Sequence, residues 1–358
     1  MRPIAASISR QALRHNLELA KRHAAAARVW AVVKADAYGH GLLRVVAALE
    51  GADGFALLEL DTAVRLRDSG NSGHVLLIEG FFGPDELQVF SARGLTAVVH
   101  DAAQVHMLET ERLARPIDVY LKINTGMNRL GFAVGQAAPM LERLRGCQGV
   151  GSITLMTHFA DADGPEGVAG QMRRLAATGI EGLPRSLANS AALLRYPEAR
   201  GDWVRPGIML YGCSPFPELS AEAIGLAPAM TLKSRLIAVQ ALQPGERVGY
   251  GSVFTARSPM RIGIVACGYA DGYPRHAPGI EDRGTPILVA GRRTRTVGRV
   301  SMDMLFADVT SIPEASAGTE VTLWGEGLSA DEVAAASGTV SYELLCALAA
   351  RVPVIEVG

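Results

Sequence analysis

The feature that most constrains this chain is a recurrence. Between residues 28 and 212, short apolar runs alternate with stretches of helical spacing. The runs are 29–34 (VWAVVK), 54–59 (GFALLE), 74–79 (HVLLIE), 96–100 (TAVVH), 118–124 (DVYLKIN), 152–159 (SITLMTHF), 185–189 (RSLAN) and 203–212 (WVRPGIMLYG). Most are nearly continuously apolar, as strands buried on both faces are. Segments 42–49, 101–114 and 137–145 carry the apolar spacing of helices. Eight such units in about 200 residues predict an α/β fold, a (β/α)8 TIM barrel. An open doubly wound sheet is the alternative. Against it, the only glycine-rich stretch after the first run, Tyr38-Gly39-His40-Gly41, is not a dinucleotide fingerprint.

After Leu226-Ala227-Pro228 the pattern changes to short strand-like runs divided by turn residues such as Pro244-Gly245 and Ala290-Gly291. This predicts a mostly-β C-terminal domain. The chain therefore divides into 1–227, a barrel whose first residues are free to pair with the second unit, and 228–358. A length of 358 residues supports two cores. Residues are 49% hydrophobic and 20% charged, and net charge is −1, so neither nucleic acid nor an anionic membrane is an expected partner. No apolar run approaches the ~20 residues of a membrane helix, and 1–10 does not read as a signal peptide. Cys147, Cys213, Cys267 and Cys346 form no Cys-x-x-Cys pair. No zinc or other metal site and no disulfide framework is expected, and a reducing cytoplasm is the default location.

In a barrel, chemistry collects at the C-terminal ends of the strands. There this sequence sets Lys34, Lys122 leading to Arg129, His158, Asn189-Ser190, and Arg205 followed by Pro206-Gly207-Ile208. A lysine closing an apolar strand either escapes to the rim or is desolvated, and desolvation favours the neutral, nucleophilic amine that condenses with an aldehyde. Barrels often bind phosphate after strands seven and eight, where Ser190 and Gly207-Ile208 fall. Ser190 reads equally as a helix cap, His158 as a core histidine, and Arg205 and Lys122 as ion-pair partners. Taken together, a lysine and a phosphate site at one barrel mouth point to pyridoxal 5′-phosphate (PLP).

The residues Val33-Lys34-Ala35-Asp36-Ala37-Tyr38-Gly39-His40-Gly41 resemble the PLP-lysine motif of alanine racemases. Lys122 to Gly131 (KINTGMNRLG), Thr157-His158-Phe159-Ala160, Asn189-Ser190 and Arg205-Pro206-Gly207-Ile208 are similar to further signatures of that family. So are Gly249-Tyr250-Gly251, Gly268 to Tyr273 (GYADGY) and Gly298 to Asp303 (GRVSMD). The resemblance spans nearly the whole chain, in order. It implies a homodimer with shared active sites, in which the β domain completes the partner's site. Lys34 would bind PLP covalently, and Tyr250 of the other chain would be the opposing base. Tyr38, Ser190, Gly207 and Ile208 would surround the phosphate, with Asn189 and His158 beside the cofactor and Arg205 on the pyridine nitrogen. Lys122 would be a carbamate positioning Arg129, and Arg129 and the Met302 N–H would hold the substrate carboxylate. Asp163, Tyr269, Arg275 and Arg299 would line the access corridor. Two departures stand out. Ala350 precedes Arg351-Val352-Pro353 where many relatives have a phosphate-contacting tyrosine, leaving Tyr342 or a water as replacements. Asn124 stands where aspartate is common.

The activity implied is interconversion of L- and D-alanine by two bases on opposite faces of Cα. A phenol is a weak base near neutral pH. A hydrogen-bonded chain from Tyr250 through His158 to Arg205 would help it. The rivals are a racemase of serine or basic amino acids and a non-catalytic PLP-binding carrier, which would lack the β domain. A related decarboxylase, expected to be longer and to need different bases, is the third.

Overall fold

The computed structural model describes residues 2–358. Eight parallel strands, Arg28–Val32, Gly54–Leu57, His74–Leu77, Thr96–Val99, Ile117–Lys122, Val150–Met156, Arg185–Ser186 and Trp203–Val204, pair in chain order, and the eighth returns to the first. Asp202 N–H donates to Arg185 O and Arg205 N–H to Ala188 O (both 2.8 Å), which closes the last gap. This is the (β/α)8 barrel. The strands are shorter than the apolar runs suggested at the seventh and eighth positions. Pro206 has no N–H to give, and 208–211 (Ile208–Tyr211) turn into a 3-10 helix.

Strand alternation sorts the barrel interior into two levels. Trp30, Tyr120 and Trp203 form an aromatic plug. Trp30 stacks on Trp203 at 4.3 Å and donates through Nε1 to Tyr120 Oη at 2.9 Å. Lys122 and Arg205 stand two residues beyond Tyr120 and Trp203, so they share the inward face one level higher. The charged groups at the mouth therefore rest on a packed floor.

The second unit is an antiparallel barrel. The 13-residue strand Met230–Leu242 pairs along its first half with Glu320–Trp324 and along its second with Met260–Val265. A register shift near Leu236 lets it change partners. Leu305–Asp308, Arg292–Val297 and Pro286–Val289 complete the circuit. The N-terminal strand Ala5–Ser9 lies antiparallel to the start of Met230–Leu242 and parallel to the last strand, Val354–Val357. Both units share one large apolar core, and a smaller cluster of Val248, Phe254, Ala256, Met260, Ile262 and Val297 lies under the loop that carries Tyr250. Among the described residues no helix is long and apolar enough to cross a membrane.

Candidate active site

The first barrel strand ends at Val32, and Lys34 opens a short turn, Lys34–Tyr38. That turn is left-handed. Ala35, Asp36, Ala37 and Tyr38 all have φ between 50° and 55°. L-residues pay roughly 1–2 kcal/mol each for this conformation, so four of them store about 4–8 kcal/mol. The surroundings hold it. Asp36 carboxylate accepts Leu42 N–H at 2.8 Å. Tyr38 stacks on Tyr211 at 4.5 Å, and Tyr211 Oη donates to Val32 O at 2.8 Å. Alanine favours right-handed helix, so no local propensity announced this turn.

Across the mouth, Arg205 is buried and almost fully committed. Nη1 donates to Ser186 Oγ (2.7 Å), and Nη2 to Thr157 O (2.7 Å) and Leu187 O (3.2 Å), with His158 Nδ1 at 3.4 Å. Its Nε and one N–H of Nη1 are the donors left over. Burial lowers Arg205 to about 10, so it stays ionised at neutral pH. Burial, then the charges of Arg205, Lys122, Arg129 and Lys34, hold His158 well below its ordinary pKa. His158 is therefore neutral. With Nδ1 facing a guanidinium, its proton belongs on Nε2.

Lys122 is buried. Burial first, then the charges of Arg205 and Arg129, lower it to about 8, against an opposing pull from Glu79. It lines a small pocket with Asn124, Thr125, Arg129 and His158. Asn124 does not complete that pocket by binding Lys122. Its Oδ1 accepts Gly126 and Asn128 N–H (both 3.0 Å), and its Nδ2 donates to Asn128 Oδ1, so it shapes the loop that presents Arg129.

On the far side, Asn189 caps the helix Ser190–Arg195, accepting Ala192 N–H at 3.0 Å. Ser190 is thus the first helical residue and not the cap. Its Oγ accepts Gly207 N–H at 2.9 Å. A Cβ on Gly207 would stand 2.5 Å from Tyr38 Oη, so only glycine leaves this space open. Ile208 follows, fully buried.

Several supporting residues have no signature in the sequence. Gln171 is buried; Oε1 accepts Ala160 N–H, and Nε2 donates to Thr125 Oγ1 (2.8 Å) and His158 O (3.0 Å). Thr125 and Thr157 join through their hydroxyls at 2.7 Å. This network ties the Arg129 loop to His158 and Arg205. A glutamine on an amphipathic helix gives no hint of such a role until the loops are placed.

The remaining candidates lie on the second unit. Tyr250 sits between Gly249 (φ 67°) and Gly251 (φ 72°), and a Cβ on Gly251 would meet the Arg299 guanidinium at 2.6 Å. Tyr250 is 71% exposed and Met302 53%, with Tyr269 and Met304 also exposed beside polar turns. Tyr269 N–H donates to Ser301 O (3.1 Å) and Ala270 N–H to Met302 O (3.0 Å), which ties the two loops together. Arg275 lies over the Tyr269 ring at 5.9 Å. Beneath them Asp271 is fully buried between Arg2 (2.7 and 3.0 Å) and Arg351 (2.7 Å), and Arg351 also binds Asp303 at 2.7 Å. Burial pushes Asp271 up, but hydrogen bonds from Arg2, Arg351 and Gly268 N–H outweigh it and hold it below the usual carboxylate range. Ala350 is exposed, whereas the Tyr342 ring lies 6.1 Å from that of Tyr38. Asp163 is exposed, and its charge helps burial raise Tyr342.

The structure thus brings Lys34, Tyr38, Lys122, His158, Ser190, Arg205 and Gly207 to one barrel mouth. Tyr250, Tyr269, Arg299 and Met302 it sets on the second unit, and among the described residues no hydrogen bond joins Tyr250 to Lys34. Similarity to known proteins extends over nearly the whole chain. Residues 8–215 match the family model of the alanine racemase N-terminal domain, and 229–356 that of the alanine racemase C-terminal domain. Alanine racemase of Ralstonia pickettii is 58% identical over 99% of this chain and 95% of its own length. That of Burkholderia mallei is 57% identical over 99% of both. The biosynthetic alanine racemase of Pseudomonas aeruginosa superposes with a TM-score of 0.96 at 47% identity, covering 100% of each chain, and that of Acinetobacter baumannii with 0.93 at 37%, also covering 100% of each. The chain belongs to the alanine racemase family of amino-acid isomerases.

Proposed function

We propose that this chain racemises alanine with PLP held at the barrel mouth, in a homodimer whose chains share their active sites. The observation that carries the reading is charge balance. Lys34, Lys122, Arg129 and Arg205 converge on one mouth, and the opposing pull on Lys122 from Glu79 is outweighed by burial and the cationic neighbours. Such a site wants anions, and a cofactor phosphate, a carbamate and a substrate carboxylate would supply them. The residues fit the cofactor. Lys34 offers an amine, and the space in front of Gly207, walled by Tyr38 and Ser190, suits a phosphate. The spare Nε of Arg205 suits a ring nitrogen.

When bound, PLP supplies an electron sink that makes the substrate's Cα proton removable. Lys34 Nζ takes or returns that proton on one face. Tyr250 Oη of the partner subunit acts on the other. Neutral His158 donates from Nε2 toward the phenol oxygen while Arg205 holds Nδ1. Arg205 stays charged and does not give up its proton, so a ring nitrogen facing it would stay unprotonated, and the weaker sink would disfavour side reactions. Arg129 and the Met302 N–H bind the substrate carboxylate. The lowered Lys122 leaves part of its amine neutral at working pH, as carbamate formation with CO2 requires, and the resulting anion would pair with Arg129. Tyr342 stands closest to the role that Ala350 gives up. Tyr269, Arg275, Arg299 and Asp163 would border the access route.

The exposure of Tyr250 and Met302 supports the shared site, because a proton-transferring base works best shielded from water. The four cysteines are all free, which suits a cytoplasmic setting. The test is direct. Purified protein with PLP should form D-alanine from L-alanine in an oxidase-coupled assay, and borohydride should fix the cofactor to Lys34. A label on any other residue, or no D-alanine, would overturn the reading.

A further inference from the structure

The left-handed turn at Lys34–Tyr38 needs more than hydrogen bonds of its own to persist, and one residue outside it grips its carbonyls. His40 is fully buried. Its Nδ1 lies 2.8 Å from Tyr38 O and 3.1 Å from Ala37 O. Neither carbonyl can donate, so Nδ1 carries the proton. Burial pushes His40 down to about 4, so the ring is neutral and Nε2 is a bare lone pair. That lone pair has no partner among the described residues. A buried polar atom left unsatisfied is unfavourable. An apolar side chain of similar size would avoid the penalty, so the imidazole is retained here for its other nitrogen. The ring also packs on Tyr211 at 4.7 Å, the same ring that stacks on Tyr38.

We propose that His40 is a positioning residue: by donating one N–H to two carbonyls of the left-handed turn, it holds Lys34 and Tyr38 aimed at the cofactor site. This rests on Lys34 being the PLP lysine. The inference concerns the backbone and not the chemistry, because His40 touches no reacting atom. If the clamp is lost, the turn relaxes toward right-handed backbone and the fraction of protein competent to bind PLP falls, weakening apparent affinity in proportion.

The experiment compares PLP affinity of the apoproteins by absorbance titration, with borohydride mapping of the labelled lysine. His40→Asn places its amide N–H where Nδ1 was, whereas His40→Gln moves the donor outward and His40→Leu removes it. We expect Asn to stay within about threefold of wild type, and Gln and Leu to bind PLP about tenfold or more weakly, the scale of one lost buried hydrogen bond. Ala35 is exposed, and Ala35→Gly lets that position adopt positive φ without strain. Added to His40→Leu it should recover several-fold of the lost affinity. If Leu fails to fold, the Asn–Gln pair and Ala35→Gly in the Gln background decide. Equal weakening by Asn and Gln with no rescue by glycine would make His40 an ordinary core histidine, and wild-type affinity in Leu or Gln would equally overturn the clamp. Failure of the PLP reading itself is separate, since it would appear as an unlabelled Lys34 in the wild-type protein.

Discussion

The two units position their functional residues by different physics. In the TIM barrel, Lys122 and Arg205 are set by strand alternation above an aromatic floor, buried bonds to Ser186 and Thr157 hold Arg205, and Gln171 holds the His158 backbone. In the second unit, Tyr250, Tyr269 and Met302 ride on turns, exposed, and are steadied by backbone links and by the Arg2–Asp271–Arg351 clamp. The first half is preorganised by its own core. The second is a presented surface, exposed in the single chain and, in the function proposed, covered by a partner subunit. Changes in the barrel should therefore alter the chemistry, whereas changes under the second unit's loops should loosen positioning.

Arg205→Glu should show the larger effect. It removes a buried guanidinium and sets a carboxylate beside His158 and the position proposed for the cofactor's ring nitrogen. We expect kcat/KM to fall on the order of 10²–10³, the scale seen when one preorganised electrostatic group is lost, and alanine-dependent transamination to rise. An unchanged rate and product profile would show that the barrel half is less tightly tuned than its hydrogen bonds suggest.

Asp271→Asn should act more mildly. The two guanidiniums are roughly two-fifths exposed, so solvent screens them. We expect a stability loss of about 1–2 kcal/mol and a several-fold rise in KM exceeding the fall in kcat, because the Met302 N–H proposed to hold the substrate carboxylate would shift. The pH dependence sharpens this. Asp271 is depressed in the folded chain, so its contribution is complete above the unfolded value of about 3.9 and is lost as pH falls below it. Urea midpoints of wild type and variant should differ at pH 7, and the gap should narrow as the pH falls below about 3.9 and through the lower folded value. A gap that persists in acid would mean the carboxylate's charge is not what holds the loops.

Much of the barrel is legible in the sequence because strands buried on both faces cannot hide their apolar runs. The strand ends are less so. Pro206 shortens the eighth strand, and the left-handed turn after Val33 is written in alanines, whose ordinary preference is the opposite. The circuit of the second unit depends on a register shift near Leu236 that no composition reveals. Lys34, Lys122, His158 and Arg205 stand out because charge at a strand end is expensive. Tyr250 and Met302 emerge only through family resemblance, since an exposed tyrosine between glycines reads as a plain turn. His40 and Gln171 act through other residues, and that role exists only once the loops are folded together.

The claim that the two halves meet across a dimer is tested by mixing two dead variants. Lys34→Ala and Tyr250→Ala homodimers should each be nearly inactive, because every site lacks one base. In a mixed dimer, one site draws Lys34 from the Tyr250→Ala chain and Tyr250 from the Lys34→Ala chain, and the other site lacks both. Random pairing of equal amounts makes about half the dimers mixed, so roughly a quarter of all sites should work. Co-refolding the two variants should therefore restore about a quarter of wild-type activity, while refolding each alone restores almost none. No recovery, with mixed dimers confirmed by differential tags, would contradict the shared site.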